Sequence, residues 1–292
     1  MNQTVTQKMS AIPDEALASL IKDLQSDGSL RVWSLIVTFF GDAIVPRGGA
    51  VSAQTVQQVM ARCGVESGAV RTAFFRLAAD GWVEREKIGR NSHYRLSKLG
   101  HAPFRDATRR IYAPVSANSS DDAAQSAKLS IAIAPADCDL DQALDATHLA
   151  PRIVLYDGNH PNLDVLKKDG WLVLQTTAED MPEWVLDQIM PPALRHGYER
   201  LISRFDLTPP ADPLGAMALR TLLIHEWRRL LLRNPPLPKP FVTSESTELR
   251  CMQLVARQYR QLLAPSERWL DNEGIGPNGA LPTAEGLDKR FS

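Results

Sequence analysis

The segment Ser67–Asp80 carries two arginines on what its sequence, SGAVRTAFFRLAAD, predicts to be a helix. Its apolar residues recur at helical spacing and form a core-facing stripe. The other faces carry Ser67, Arg71, Thr72, Phe75 and Arg76. Arginine is the commonest reader of guanine edges, and its planar guanidinium also fits phosphate oxygens. We expect Arg71 and Thr72 to contact bases, Arg76 to contact a phosphate, and Phe75 to pack against another element.

A second polar group follows directly along the chain. Trp82–Lys87 alternates with a period of two, Gly89–Ser92 has the composition of a turn, and His93–Leu96 predicts a returning strand. This predicted hairpin carries Arg85, Lys87, Arg90, Asn91 and Arg95. On nucleic acid, such side chains contact phosphates or the minor groove, which contributes affinity and salt dependence but little sequence selectivity.

Other elements must position these two groups. Ser52 is a predicted N-cap for a helix over Ala53–Cys63, and Gly64 fits the left-handed position after it. The apolar segment Ser29–Phe40 predicts a further helix that ends at Gly41. Two helices joined by a glycine turn and followed by a basic hairpin are typical of a winged helix-turn-helix, a DNA-binding module.

The charge is unevenly distributed along the 292 residues. The whole chain has a formal net charge of −1, which by itself argues against nucleic acid. Residues 1–112, however, hold 15 Lys+Arg against 10 Asp+Glu, and residues 62–112 hold 11 against 5. A concentrated basic segment favours nucleic-acid binding more than the total charge does.

The pattern of predicted strands, helices and polar segments indicates an α+β chain of several domains. Residues 113–127, APVSANSSDDAAQSA, are typical of a linker. Beyond it, Lys128–Ala134, Arg152–Tyr156 and Trp171–Thr176 predict strands, whereas Asp139–Leu149 and Glu183–Met190 predict helices. The predicted division is residues 1–112 for the winged-helix domain, 113–127 for the linker, 128–190 for an α/β sandwich, 191–272 for a further domain and 273–292 for a flexible tail.

The cysteines and the apolar runs of the sequence predict where in the cell the protein is found. Its three cysteines are widely separated and odd in number, which argues against a disulfide framework and favours a reducing, cytoplasmic compartment. The apolar runs are too short for a membrane helix, so we expect no membrane association.

Two blocks of the sequence resemble the PaaX-type repressors of phenylacetate degradation. The first block is GAVRTAFFRLAADGWVEREKIGRNSHYRLSKLG followed by ATRRIY, and the second is LRTLLIHEWRRLLLRNPPLP. The resemblance implies a winged-helix repressor with a central ferredoxin-like domain similar to the Cas2 fold and a helical carboxy-terminal domain over residues 191–272. It also implies a homodimer on operator DNA that is released by an aryl-CoA thioester such as phenylacetyl-CoA. It extends the DNA-contact role to the whole hairpin, including Ser92 and Tyr94.

The sequence departs from the family pattern in two places. Residues 113–127 replace a Trp-containing entry to the middle domain, and PKPFVTSES stands where the family has an acidic-Trp-Pro-Gly segment. Both departures lie outside the DNA-binding block. They leave open a family member that has lost or changed its ligand response.

The long amphipathic segment Asp212–Arg233 is the candidate for effector contact. His225, Arg228, Arg229 and Arg233 have the chemistry to hold a CoA phosphate. The alternative is that these cations simply suit the carboxy-terminal end of a helix.

The enzyme alternative is a metal-dependent nuclease on the Cas2-like domain, with Asp157 at the end of a strand. Two-metal chemistry needs several convergent carboxylates, and the sequence offers none beside Asp157. His225–Glu226 lacks the second histidine of a zinc protease motif, and no GxSxG motif or phosphate-binding glycine loop occurs. We therefore expect no catalytic residues, metal or cofactor.

Overall fold

The computed structural model describes residues 13–28, 30–98, 107–115, 128–136, 146–158, 160–234, 237–243 and 245–292. The chain divides into two units. One comprises Met1–Thr108, Arg204–His225 and Arg257–Lys289, and the other comprises Arg109–Ser203, Glu226–Ala256 and Arg290–Ser292. Both combine helices with antiparallel strands, so the fold is α+β. In the ranges just given, no helix is both long and apolar enough to cross a membrane.

Four α-helices of the first unit lie between residues 13 and 79. They are α1 (Pro13–Ser26), α2 (Val32–Phe39), α3 (Ala53–Arg62) and α4 (Ser67–Ala79). As predicted, Ser52 caps α3, because its hydroxyl accepts a hydrogen bond from the Thr55 amide at 3.1 Å. This bond satisfies one of the amides that a helix start leaves unpaired.

Glycines end both α3 and α4. Gly64 follows α3 with φ +76° and Gly81 follows α4 with φ +72°. After each glycine the next amide returns to the helix: Val65 donates to the Met60 carbonyl at 2.9 Å, and Trp82 donates to the Leu77 carbonyl at 2.8 Å. This is the Schellman arrangement, in which a left-handed residue closes the helix. The two glycines therefore set the direction of the chain into α4 and out of it.

A three-stranded antiparallel sheet follows α4. Its strands β1 (Ala50–Ser52), β2 (Val83–Ile88) and β3 (Asn91–Leu96) lie in the order β1-β3-β2. Ile88 pairs with Asn91, so Gly89 and Arg90 alone form the turn. Gly89 has φ +60° at the first central position, which fits a type II′ hairpin turn. The predicted basic hairpin is thereby confirmed.

A buried ion-pair network holds the core of the first unit. Arg220 lies on α8 (Pro213–Arg233) and is fully buried. Its guanidinium is 2.7 Å from the Asp42 carboxylate and 2.5 Å from the Glu267 carboxylate, and it donates to the Tyr259 hydroxyl at 3.1 Å. Burial lowers the pKa of Arg220, but the charges of its neighbours more than offset this and raise that pKa well above its usual value.

A four-stranded antiparallel sheet forms the centre of the second unit. Its strands are β4 (Lys128–Ile133), β5 (Thr147–Ala150), β6 (Ile153–Asp157) and β7 (Leu172–Thr177), in the order β5-β6-β4-β7. Alternate residues point to opposite faces of a strand. One face packs with α5 (Leu163–Lys168), and the other packs with α6 (Glu183–Ile189).

Three longer helices are α7 (Pro192–Phe205), α8, and α9 (Thr247–Glu273), which contains Pro265. In the second unit, Tyr198 of α7 forms a hydrogen bond with the buried carboxyl of Glu248 at the start of α9. Burial raises the pKa of Glu248 to about 7, and the bond from Tyr198 opposes this only in part.

The raised pKa of Glu248 makes folding stability depend on pH. In the unfolded chain this carboxyl loses its proton near pH 4.5, whereas in the folded chain it keeps the proton until about pH 7. The unfolding free energy should therefore fall as pH rises between these values, by about 3 kcal/mol from this group. Urea unfolding from pH 4.5 to 8 measures the slope, and Glu248→Gln should remove that contribution. An unchanged slope in the variant would contradict the assignment.

Three segments differ from the sequence-based predictions. The chain passes through Gly41 as a π-helical turn, Phe40–Ile44, because Asp42 in that turn is held by Arg220. Thr147–Ala150 is a strand, although Asp139–Leu149 was expected to be helical; residues 137–145 lie outside the described residues. The expected flexible tail, residues 273–292, contains a short hairpin and buries Leu281 and Phe291.

Residues 191–272, expected to form one helical domain, contribute to both units. The predicted linker, residues 113–127, lies mostly outside the described residues. The division into five parts therefore stays a prediction.

Candidate nucleic-acid interface

Helix α4 presents its polar face to solvent. Val70, Phe74 and Leu77 are buried, as the helical spacing predicts. The predicted contact residues of this helix, Ser67, Arg71, Thr72 and Arg76, are all exposed. The Thr72 hydroxyl donates to the Gly68 carbonyl at 3.1 Å, one turn earlier, and its oxygen remains an available acceptor.

Phe75 packs against none of the elements that the structure describes, contrary to expectation. It is 77% exposed, the largest value among the large apolar side chains of the described residues. It lies four residues after Arg71 and one before Arg76, on the exposed side of α4. An aromatic ring in this position favours contact with a partner, since exposure to water gives it no stabilising role.

Strand β2 separates its charges by face. Arg85 and Lys87 alternate with Glu84 and Glu86, so these two cations lie on one face and the carboxylates lie on the other. Arg95 of β3 pairs in register with Glu84 and therefore lies on the carboxylate face. The cationic face is the one that Val83, Tyr94 and Leu96 share by register. Tyr94 stacks on Phe74 of α4, with ring centroids 3.9 Å apart. The hairpin cations thus extend from the face that packs on α4.

Hydrogen bonds orient one of the hairpin cations. Arg85 donates to the Ser92 hydroxyl through Nε at 3.2 Å and through an Nη at 2.7 Å. Ser92 and Tyr94 are half-buried, Ser92 accepts from Arg85 and Tyr94 packs on Phe74, and their DNA contacts stay a prediction. Lys87, Arg90 and Asn91 are exposed.

The exposed cations of this surface have no acidic partner. Arg71, Arg76, Lys87 and Arg90 form no ion pair within the described part of the chain. Some exposed arginines elsewhere are paired, as Arg257 is with Asp206 at 2.6 Å. We call the exposed side chains of α4 and the cationic face of the hairpin the basic face. Unpaired cations held on two rigid elements are suited to bind an extended polyanion.

The predicted effector residues do not form one exposed group. His225 is fully buried, and its Nδ1 lies 3.2 Å from the Thr38 hydroxyl. Arg229 is 2.7 Å from Glu226, and burial lowers the pKa of Arg228, whereas Arg233 is exposed. Of these four residues Arg233 is the exposed one, and the effector-binding role of all four stays a prediction.

The carboxylate considered for metal chemistry has a structural partner. Asp157 at the end of β6 accepts a hydrogen bond from the Lys239 amide at 2.7 Å. Within the described ranges, no group of three or more His, Cys, Asp and Glu side chains is arranged to hold a metal ion. Asp157 therefore joins the segment after α8 to the sheet of the second unit.

Comparison with known proteins gives matches at both ends of the chain. The family model described as PaaX-like protein matches residues 31–100, and the PaaX-like protein C-terminal domain matches residues 192–272. The transcriptional repressor PaaX of Escherichia coli (strain K12) is 24% identical over 288 residues, with 87% of each chain covered. The structure of an uncharacterized protein, Rv0674 from Mycobacterium tuberculosis, is 16% identical, with 75% of this chain and 91% of that chain covered and a TM-score of 0.45. Since the two family models together match just over half of the residues, in order, the chain belongs to the PaaX-like family.

Proposed function

We propose that this protein is a transcriptional repressor that binds operator DNA through a winged helix-turn-helix. In this proposal α3 and α4 are the helix pair, and the β2–β3 hairpin is the wing. The observation that carries it is the basic face, where unpaired cations extend from α4 and from the hairpin that packs on it. Family membership agrees, since the E. coli relative is named a transcriptional repressor.

Each side chain of the basic face has a proposed role. Arg71 and Thr72 read base edges in the major groove, and Arg76 contacts a phosphate. Phe75 contacts a thymine methyl group or a sugar, the apolar surfaces that the groove offers. On the wing, Arg85, Lys87 and Arg90 contact phosphates, and Asn91 contacts the adjacent backbone or minor groove.

The rest of the chain is proposed to serve assembly and sensing. The sheet order β5-β6-β4-β7 and its antiparallel pairing support a ferredoxin-like domain, the βαββαβ arrangement, over residues 128–190. We propose a cytoplasmic homodimer whose operator controls an aromatic-acid operon of the phenylacetate type. An aryl-CoA thioester such as phenylacetyl-CoA is the proposed effector, and Arg228, Arg229 and Arg233 are its candidate phosphate ligands.

Nothing in the described residues favours the second candidate, a metal-dependent nuclease. The one carboxylate that suggested it, Asp157, binds a backbone amide. The family relationship indicates a regulator and not an enzyme.

Fluorescence anisotropy with the purified chain tests the proposed function. The labelled duplex carries the promoter region upstream of the protein's own gene, and the control is a shuffled duplex of the same composition. Specific readers bind their site about 10³-fold or more tightly than other DNA at physiological salt. Equal affinity for the two duplexes would contradict the proposal.

Removal of wing cations should weaken binding without changing selectivity. Lys87→Ala and Arg90→Ala are each expected to lower affinity for operator and shuffled DNA alike, because phosphates are the same in both. Each should also reduce the slope of log K against log salt by about 1. A salt titration of both duplexes measures this. A variant that lost affinity only for the operator would instead make that residue a base reader.

A further inference from the structure

The exposed face of α4 has an uncharged line of residues along its centre. At about 100° per residue, four positions fall directly opposite the middle of the buried stripe. These four exposed positions, which we call the central line, are Gly68, Thr72, Phe75 and Ala79. Arg71 lies on one side of the line and Arg76 lies on the other, each about 70° away around the helix axis. The exposed face of α4 therefore has an uncharged middle between two cations.

Phe75 supplies the large apolar group of the central line. Its side chain is 77% exposed, and exposed apolar surface is unfavourable in water. Thr72 lies almost one turn earlier, and its hydroxyl donates to the Gly68 carbonyl at 3.1 Å, so its proton is used within the helix. A partner that covers the Phe75 ring would remove apolar surface from water and so gain binding free energy.

Gly68 leaves the amino end of the central line without a side chain. Among the described residues, no atom lies within 4 Å of the place that a Cβ would occupy, and the backbone of Gly68 is not left-handed. Neither packing nor conformation therefore requires glycine here, although glycine weakens a helix relative to alanine. Glycine also permits the close approach of a ligand to the backbone, which favours a partner surface that lies along the central line.

The flanking cations select the kind of partner. Arg71 and Arg76 belong to the basic face, which suits a polyanion. Duplex DNA is a polyanion whose major groove carries an apolar group on its base edges, the C5 methyl group of thymine. The sugars lie along the strands with the phosphates, where the proposed function places Arg76. Phe75 lies on the central line and not beside Arg76, so the base edges are its nearer target.

We propose that Phe75 recognises the C5 methyl group of a pyrimidine in the major groove, so that DNA binding responds to methylation of the operator. The inference rests on the proposed function, since it places α4 in that groove. Thymine carries this methyl group, and 5-methylcytosine carries the same group at the same ring position. Uracil and unmethylated cytosine leave the ring of Phe75 without this contact. Methylation of a cytosine at the contacted position therefore strengthens binding.

Substitution of single thymines by uracil in the promoter duplex tests the inference, because the two bases differ only in the methyl group. Burial of one methyl group changes affinity by about fourfold. Wild-type protein should lose about this factor at one thymine in each half-site, whereas Phe75→Ala should lose nothing there. At the same position, a 5-methylcytosine–guanine pair should bind wild-type protein about fourfold more tightly than a cytosine–guanine pair, and Phe75→Ala should bind the two pairs equally.

Two further variants separate methyl recognition from a general effect on the protein. Trp184→Ala is the matched control, since Trp184 is an aromatic residue of α6 in the second unit and is 62% exposed. It should keep the full difference between thymine and uracil. Gly68→Ala should weaken binding to the promoter without lowering the thermal unfolding midpoint, because alanine favours the helix but obstructs close approach. Unchanged promoter affinity in Gly68→Ala would overturn the close approach along the central line.

The outcomes distinguish this inference from the proposed function. Wild-type protein that binds every uracil duplex as tightly as the thymine duplex would overturn methyl recognition, as would a loss on uracil that Phe75→Ala shares in full. If the promoter were still preferred over shuffled DNA in that case, the proposed function would stand. Equal affinity for promoter and shuffled DNA, together with a thymine–uracil difference that Phe75→Ala removes, would contradict the proposed function and support methyl recognition.

Discussion

Replacing Arg71 with alanine is expected to remove most of the preference for operator over shuffled DNA. The Arg71 guanidinium is exposed near the start of α4, has no acidic partner in the described residues, and lies on the face opposite the buried stripe. A bidentate arginine–guanine pair contributes about 1–3 kcal/mol of base discrimination, a factor of about 5 to 150 at each half-site. Affinity for shuffled DNA should fall far less.

Arg195→Ala is the matched control for this prediction. Arg195 is an exposed arginine on α7, outside the basic face, and its loss removes the same charge from the chain. It should leave both affinities within about twofold of the wild type. If Arg71→Ala and Arg195→Ala gave the same small loss on both duplexes, Arg71 would not be a base reader. Anisotropy titration of the two duplexes at fixed salt measures all four affinities.

Replacing Arg220 with alanine is expected to have the largest effect on stability. The substitution leaves Asp42, which is as buried as Arg220 itself, without its cation, and it removes the donor that Glu267 and Tyr259 share. Breaking a buried pair by removing one partner costs about 3–5 kcal/mol, because the remaining charge stays desolvated. Urea unfolding at pH 7 measures the loss.

A surface pair in the same unit supplies the control. Arg257 is 2.6 Å from Asp206, but both side chains are more than half exposed. Arg257→Ala should cost no more than about 1 kcal/mol. Equal losses for Arg220→Ala and Arg257→Ala would show that the buried network does not hold the core. Arg220→Met with Asp42→Asn, which removes both charges, should recover part of the stability.

The local pattern of the amino-terminal part was sufficient to predict the basic face. Ser52, Gly64 and Gly81 act within a few residues of their own position, through a cap and two left-handed turns. Such signals depend only on neighbouring residues, so they can be recognised in the sequence without knowledge of the tertiary structure. The hairpin follows from Gly89 and from the alternation on either side of it. These elements therefore place Arg71 and Arg85 almost as the sequence predicts.

Long-range contacts explain what the sequence could not predict. Gly41 suggests a helix stop, but Asp42 pairs with Arg220, 178 residues later, and the chain continues as a π-helical turn. His225 was a candidate contact for a CoA phosphate, yet it is fully buried beside Thr38, which lies 187 residues earlier in the chain. Phe75 was expected to be covered, since a bulky aromatic residue is costly to expose. The structure around Asp42 and His225 therefore depends on residues that are distant in the sequence. The exposure of Phe75 likewise depends on the tertiary structure and not on its sequence neighbours.

Dimethyl sulfate protection tests the central claim, that α4 reads bases in the major groove. The reagent methylates guanine N7, the atom that an arginine occupies when it binds guanine there. Wild-type protein on its own promoter should protect guanines in two symmetric half-sites, and Arg71→Ala should lose protection at particular guanines while the wing contacts keep it on the DNA. Uniform methylation of the promoter in the presence of saturating wild-type protein would contradict the claim.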